Sequence, residues 1–122
     1  KLTPAEFEKM KTHTIQGAKI FEGIDFLKMA HEIALCHHEN YDGSGYPMKI
    51  QGDLIPISAK IVSLCDNFDA LISERCYKKA YTFKTALTII QSEVGRRFDP
   101  EIAEFFFRNS DKIYQIYLDL KD

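Results

Sequence analysis

Residues that can cap the first turn of a helix recur along this chain, and apolar residues at helical spacing follow each of them. The candidate caps are Thr3, Ser58, Thr82 and Asp99. Proline follows two of them, at positions 4 and 100, where the first helical residue needs no N–H group. No segment alternates apolar and polar residues as a half-buried strand does. The sequence therefore predicts an all-α fold of five to six helices in a bundle-like arrangement. They are expected at residues 2–23, 25–39, 58–74, 82–94, 99–109 and 111–120.

The bulk composition narrows the class of protein. A length of 122 residues is enough for one core, and we expect residues 1–122 to form a single domain. The formal net charge of -2 leaves no broad basic face for a nucleic acid. No apolar run approaches the length of a membrane span. The 3 cysteines are an odd number, which favours reduced thiols and a cytoplasmic protein over a disulfide framework.

Four potential metal ligands fall on three different predicted helices. His13 lies on the first helix, and Asp66 lies within the third. His37 and His38 lie near the end of the second. Helices of a bundle can direct such groups to a common centre. Imidazole and carboxylate donors suit iron, manganese, zinc or nickel better than calcium.

The two adjacent histidines pose a geometric problem. On an ideal helix their side chains point about 100° apart. Both His37 and His38 can therefore bind metal only if two ions lie side by side, or if the helix ends at this point. In the alternative without a metal, His13 and His38 are exposed and His37 is a hydrogen-bonded core residue. His31 is interpreted as a surface or helix-end histidine.

Each of two further segments has two interpretations, one structural and one functional. Residues 40–57 are rich in glycine and proline and form a long loop, which either only turns the chain or offers backbone N–H groups to phosphate. The loop lacks the Lys-Ser/Thr ending of a nucleotide-binding P-loop. Arg75, Lys78 and Lys79 follow the third helix. They either contact phosphate oxygens or form a solvated, positively charged helix end.

Three strings of the sequence resemble the HD-GYP family, a subset of the HD phosphohydrolase superfamily. They read HHENYDGSGYP, GDLIPISAKIVSLCDNFDALISERCYKKA and VGRRFDPEIAEFF. The resemblance extends from Lys1 to about Phe107. It implies an all-helical domain that holds two or three divalent metal ions, most often iron or manganese. It also implies hydrolysis of cyclic di-GMP, a bacterial second messenger, to linear pGpG or to GMP.

The resemblance assigns roles to individual residues. The matched metal ligands are His13, His37, His38 and Asp66. The matched substrate contacts are Arg75 and Lys78, toward the phosphates, and Gly45, Tyr46 and Pro47 in the signature loop beside the site. No side chain is assigned as the catalytic nucleophile.

The sequence departs from the family pattern in one major respect. The family's His-Asp motif would precede the segment matched by Lys1, so residues 1–122 are expected to be a partial HD-GYP domain, inactive alone.

The resemblance is compatible with two functions. The first hypothesis is a cyclic di-GMP phosphodiesterase domain of a bacterial signalling protein. The alternative is a non-catalytic module that binds cyclic di-GMP or presents the Gly-Tyr-Pro loop to a partner such as a diguanylate cyclase domain.

The large apolar side chains predict self-association. Not all of them can face inward in a bundle of five or six helices. They are Phe7, Met10, Phe21, Phe26 and Phe105–Phe107. Burial of the remaining apolar surface against a second copy is the expected outcome.

Overall fold

The described part of the chain folds into helices, as predicted. The computed structural model describes residues 2–21, 27–74 and 78–120, with side chains throughout except at 17–21. Within these ranges six α-helices form and no strand is present. The helices are α1 (Pro4–Phe21), α2 (Lys28–Cys36), α3 (Ile57–Ile72), α4 (Phe83–Ser92), α5 (Pro100–Arg108) and α6 (Ser110–Leu120). A short 3₁₀ turn at Gly52–Leu54 interrupts the loop between α2 and α3.

Three of the four predicted helix caps form. The Thr3 hydroxyl accepts the Glu6 N–H at 3.1 Å, and the Glu6 carboxylate accepts the Thr3 N–H at 2.8 Å, which completes a capping box. Thr82 and Asp99 accept N–H groups from the first turns of α4 and α5. These caps satisfy donors that the helices leave unpaired, and they define where each helix begins.

The cap predicted at Ser58 is wrong. α3 begins one residue earlier, at Ile57, and no side chain caps its first turn. The extended backbone of Pro56 precedes this turn and sets the start of the helix. The Ser58 hydroxyl instead donates to the Glu32 carboxylate at 3.4 Å, which links α3 to α2.

The second helix ends three residues earlier than predicted, at Cys36 rather than at Glu39. The His37 N–H makes the last helical hydrogen bond, to the Ile33 carbonyl oxygen at 3.0 Å. Beyond it, the buried Glu39 side chain accepts two N–H groups from the following loop. Those bonds direct the chain away from the helix axis, so the adjacent histidines lie outside α2.

The main core lies among the last four helices. α3 contributes Leu64, Phe68 and Ile72, and the other buried members come from α4, α5 and the turn between them. Those members are Ala86, Ile90, Phe98 and Phe106. α6 covers this cluster with aromatic rings, among them Tyr114, which stacks on Phe83 at 4.2 Å. This core joins α3 to the last three helices, and a smaller buried cluster of Cys36, Ile55 and Ala59 joins α3 to the end of α2.

A buried ion pair joins α3 to the start of α5. The Lys60 Nζ lies 2.7 Å from the Asp99 Oδ2, and the two side chains are only 8% and 11% exposed. The same ammonium group lies 5.7 Å from the centre of the Tyr41 ring, in the loop after α2. Burial raises the pKa of Asp99, but hydrogen bonds from Lys60 and from the first turn of α5 outweigh it and leave the pKa below its usual value. The pair thus fixes α3, α5 and the loop relative to one another.

The structure also bears on the predictions about membrane spans and about the cysteines. None of the helices in the described part of the chain combines the length and the apolar character needed to cross a bilayer. Cys36 is buried and Cys65 is exposed, and neither forms a disulfide. Cys76 lies outside the described residues.

Candidate metal centre

Three imidazole rings converge between α1 and the end of α2. α1 supplies His13, and the turn that follows α2 supplies His37 and His38. Their potential ligand atoms all lie within 4.8 Å of one another. Across residues 2–21, 27–74 and 78–120, this is the one group of three or more potential metal ligands so close together. We call these residues the histidine cluster.

The early end of α2 resolves the geometric problem of the adjacent histidines. Because His37 and His38 follow the helix, their rings do not diverge, and their centroids lie 4.2 Å apart. His13 faces them with centroid distances of 5.8 and 5.1 Å. His13 is exposed, while the other two are half-buried. The interpretation in which the helix ends at this point is therefore confirmed.

Backbone hydrogen bonds orient two of the three rings. The His13 Nδ1 donates to the Met10 carbonyl oxygen at 2.7 Å, and the His37 Nδ1 donates to the Ile33 carbonyl oxygen at 2.7 Å. In each ring the Nε2 atom is then the unprotonated nitrogen of the neutral form. A carbonyl on one nitrogen is the usual way in which proteins fix the tautomer of a metal-binding histidine.

The third ring is kept neutral by its surroundings. Burial, and after it the nearby charges of His37, His13 and Arg97, lower the pKa of His38 to about 4. A protonated imidazole cannot bind a metal ion, so a low pKa removes the competing proton at neutral pH.

The other predicted ligand is not a member of the histidine cluster, and the contacts of Lys78 are with its own segment. Asp66 is an exposed residue of α3 and is not a member of the cluster. The Lys78 Nζ lies 5.0 Å from the centre of the Tyr81 ring and donates to the Lys79 carbonyl oxygen at 3.4 Å. Arg75 lies outside the described residues. The structure thus brings together three of the four predicted ligands.

The signature loop lies directly against the cluster. The Tyr46 ring stacks on the His38 ring, with centroids 5.0 Å apart and planes inclined by 18°. The Tyr46 N–H donates to the His38 carbonyl oxygen at 3.1 Å. Gly45 is buried, and Pro47 is half-buried beyond a cis peptide bond. The loop therefore does more than turn the chain, because it covers one face of a candidate ligand.

Two residues near the cluster were not assigned a role from the sequence. Glu39 is only 2% exposed and binds loop backbone rather than the cluster. Arg97 donates to the Asn67 side-chain oxygen at 2.6 Å and lowers the pKa of His38. Glu39 could have been suspected from its position directly after the histidine pair. Arg97 is 59 positions from His38 (97 − 38) and gives no local signal in the sequence.

The cluster fits a divalent transition-metal ion. Three nitrogen donors converge, two of them fixed as Nε2 donors by backbone carbonyls and the third neutral at physiological pH. Imidazole nitrogen suits iron, zinc, nickel or copper and is a poor donor for calcium or magnesium. Three protein ligands leave further positions on the ion for water or a substrate.

The fold and the histidine cluster together define a helical domain with a candidate metal centre. A sequence model described as "HD domain" matches residues 1–102, and the chain therefore belongs to the HD domain family. Within that family the chain is an HD-GYP domain, which confirms the resemblance of the histidine string.

Known proteins support this membership. A cyclic di-GMP phosphodiesterase of Vibrio cholerae is 42% identical over 100% of this chain and 26% of its own length. One of Thermotoga maritima is 42% identical over 99% of this chain and 33% of its own length. The chain thus spans about a quarter to a third of these curated relatives. A crystal structure of a V. cholerae cyclic GMP-AMP-specific phosphodiesterase shares the fold, with a TM-score of 0.70 at 24% identity, over 85% of this chain and 24% of that one.

Proposed function

We propose that this domain takes part in the metal-dependent hydrolysis of cyclic di-GMP in a bacterial signalling protein. The observation that carries the proposal is the histidine cluster, whose three rings present nitrogen donors to one point in an HD-GYP domain. Both relatives that are 42% identical to this chain are cyclic di-GMP phosphodiesterases, which supports the choice of substrate. A cytoplasmic location is part of the proposal and rests on the odd number of cysteines, 3, in the sequence.

The proposed ligands are His13, His37 and His38, with Asp66 of α3 as a fourth. We propose two or three ions per intact domain, with iron or manganese as the preferred metals. Such ions, when bound, acidify a water molecule and offset negative charge on the phosphodiester. The tasks of the chain are to hold neutral imidazoles in one orientation and to shield one side of the cluster with Tyr46.

In this proposal two basic residues that follow α3 in the sequence recognise phosphate. Arg75 and Lys78 would pair with the non-bridging phosphate oxygens, and a guanidinium group does so through two parallel N–H bonds. Gly45, Tyr46 and Pro47 would form the wall of the substrate site next to His38. In this arrangement no side chain attacks phosphorus.

Turnover by the full-length protein that its gene encodes tests the proposal. With added Mn²⁺ or Fe²⁺ we expect hydrolysis of cyclic di-GMP at a rate typical of enzymes, about 1 s⁻¹ or more. The substitution His37→Ala should abolish this activity, and the substitution His31→Ala, in α2 but outside the cluster, should preserve it. We expect 3′3′-cGAMP, in which adenine replaces one guanine, to be the poorer substrate.

Other outcomes of this assay would change the assignment. Binding of cyclic di-GMP without turnover would favour the alternative, a binding module or a partner for a diguanylate cyclase domain. Faster turnover of 3′3′-cGAMP would retain the reaction class and overturn the choice of substrate. Activity that survives His37→Ala would show that the histidine cluster is not the catalytic metal site.

Self-association of the chain is a further prediction. Phe106 is buried and Phe107 half-buried, but Phe105 is 63% exposed and Ile57 is 65% exposed. Both of these exposed residues line a groove of about 450 Å³. Phe7 is exposed and Met10 half-buried, while Phe26 and the Phe21 side chain lie outside the described residues. Because such apolar surface is stabilised by burial, we expect the chain to form a dimer at micromolar concentration.

Sedimentation velocity measures this directly. The substitution Ile57→Lys should shift the chain toward monomer, because it places a charge in the groove. Thr88→Lys, at an exposed position of α4, adds the same charge elsewhere and should leave the sedimentation coefficient unchanged. A wild-type chain that stays monomeric at tens of micromolar would contradict the prediction.

A further inference from the structure

The three rings of the histidine cluster are oriented by two different means. The Nδ1 atoms of His13 and His37 donate to carbonyl oxygens of their own helical turns. In the described ranges, the His38 ring makes no hydrogen bond, and its near-parallel contact is with the Tyr46 ring, at 5.0 Å. His38 therefore lacks the carbonyl anchor that fixes the other two rings, and Tyr46 occupies the position of an orienting group.

The Tyr46 ring is itself held firmly in place. Its backbone N–H donates to the carbonyl oxygen of His38, the residue on whose ring it stacks. From α1, the Phe7 ring meets it edge-on at 6.1 Å, and the Lys11 ammonium group lies 5.7 Å from its centre. Its hydroxyl contacts the Met10 sulfur at 4.0 Å. These contacts come from α1 and from the histidine turn, so Tyr46 bridges the two elements that supply the cluster.

A buried carboxylate fixes the loop that carries Tyr46. Glu39 directly follows His38, and its side chain is turned into the loop. Its Oε2 accepts the Met48 N–H at 2.6 Å, and its Oε1 accepts the Ile50 N–H at 3.2 Å. Both oxygens are therefore used by backbone donors after Tyr46. Charge-assisted bonds of this kind are stronger than neutral ones, so Glu39 holds the loop against the end of α2.

We propose that Glu39 and Tyr46 are positioning residues for His38: Glu39 clamps the signature loop, and the Tyr46 ring fixes the plane of the His38 imidazole. The inference deepens the proposed function and rests on it for the metal that His38 would bind. Tyr46 then orients a ligand in addition to forming part of the wall of the proposed substrate site. In this assignment the aromatic face is essential and the hydroxyl is not.

A Co²⁺ titration of the full chain, followed by visible absorption, tests the role of the ring. Tyr46→Leu keeps apolar bulk but removes the stacking face, and Tyr46→Phe keeps the face but removes the hydroxyl. We expect Tyr46→Leu to weaken Co²⁺ binding about 10–100-fold and to change the absorption bands, as loss of a ligand-orienting partner does. Tyr46→Phe should match wild type, and so should Tyr81→Leu, at an exposed tyrosine of another segment. Wild-type affinity and spectrum in Tyr46→Leu would overturn the role of the ring.

A measurement without metal tests the clamp and separates the two proposals. In the metal-free chain, Glu39→Gln should shift the NMR signals of the His38 ring protons toward those of Tyr46→Leu, because the loosened loop no longer holds the tyrosine on the imidazole. The ring protons of His31 serve as the internal control. Unchanged His38 signals in Glu39→Gln would overturn the clamp. Absence of Co²⁺ binding in the wild-type chain would instead refute the proposed metal centre, and these NMR signals would still decide whether Glu39 positions His38.

Discussion

Replacing His37 with alanine is expected to abolish tight binding of a divalent ion while the helices stay folded. The ring supplies one of three converging donors, and its Nδ1 bond to the Ile33 carbonyl leaves Nε2 for the metal. Loss of a direct ligand should lower metal affinity by more than the roughly 10–100-fold that follows loss of an orienting partner. Metal content after purification and a Mn²⁺ titration by calorimetry measure the effect, with far-UV circular dichroism as the check on folding.

Three companion variants assign the roles around the cluster. Asp66→Ala should also lower metal content if this carboxylate is the fourth ligand. Arg75→Ala should leave metal content unchanged and weaken cyclic di-GMP binding, because a guanidinium group pairs with phosphate but does not bind a cation. His31→Ala, a half-buried histidine of α2 outside the cluster, should retain both. Metal loss in Arg75→Ala but not in Asp66→Ala would reverse the two assignments.

The sequence was sufficient to predict the helices because their signals are local. The capping box at Thr3 and Glu6 and the caps at Thr82 and Asp99 depend on residues within one turn, and all of them form. Ser58 shows the limit of such reasoning. Its hydroxyl bonds to Glu32, which is 26 positions away, and a preceding proline starts the helix instead.

The ligands were predictable by type, but their arrangement was not. From helical periodicity we predicted that the second helix extends to Glu39. That prediction did not explain how two adjacent histidines could share one site. α2 ends at Cys36 because the Glu39 side chain accepts N–H groups from the loop that follows the helix. Helical periodicity in the sequence does not predict the shape of that loop. The stacking of Tyr46 on His38 follows from the same loop.

Contacts between distant segments account for most of what the sequence did not reveal. The pairing of Lys60 with Asp99, and the approach of Arg97 to His38, each require the helices to be packed first. In neither pair are the two residues separated by the few sequence positions that a helix or a turn brings together. Only the tertiary arrangement shows that the turn before α5 lies against the loop that follows the histidines, where the Tyr41 N–H donates to the Arg97 carbonyl oxygen at 3.1 Å.

Adding a single methyl group at Gly45 is expected to displace the signature loop and weaken metal binding. A Cβ atom there would lie 2.6 Å from the Glu39 Cα and closer still to the His38 carbonyl oxygen and the Asn40 nitrogen. All three are backbone atoms, so no side chain can rotate away and the loop itself must move. Overpacking of this kind costs about 1–3 kcal/mol of folding free energy. The displaced loop would also lose the Tyr46 N–H bond to His38 and the stacking of the two rings.

Gly95→Ala provides the matched control for this substitution. Gly95 has a φ of +90°, so alanine is strained there, but its Cβ would meet no other atom within 4 Å. A left-handed conformation costs a non-glycine residue about 1–2 kcal/mol, so both variants should unfold at lower denaturant concentration than wild type. Only Gly45→Ala should also weaken Co²⁺ binding, because only that methyl group moves the residues around His38. Equal Co²⁺ affinity in the two variants would mean that the close approach of Gly45 to the histidine turn serves stability alone.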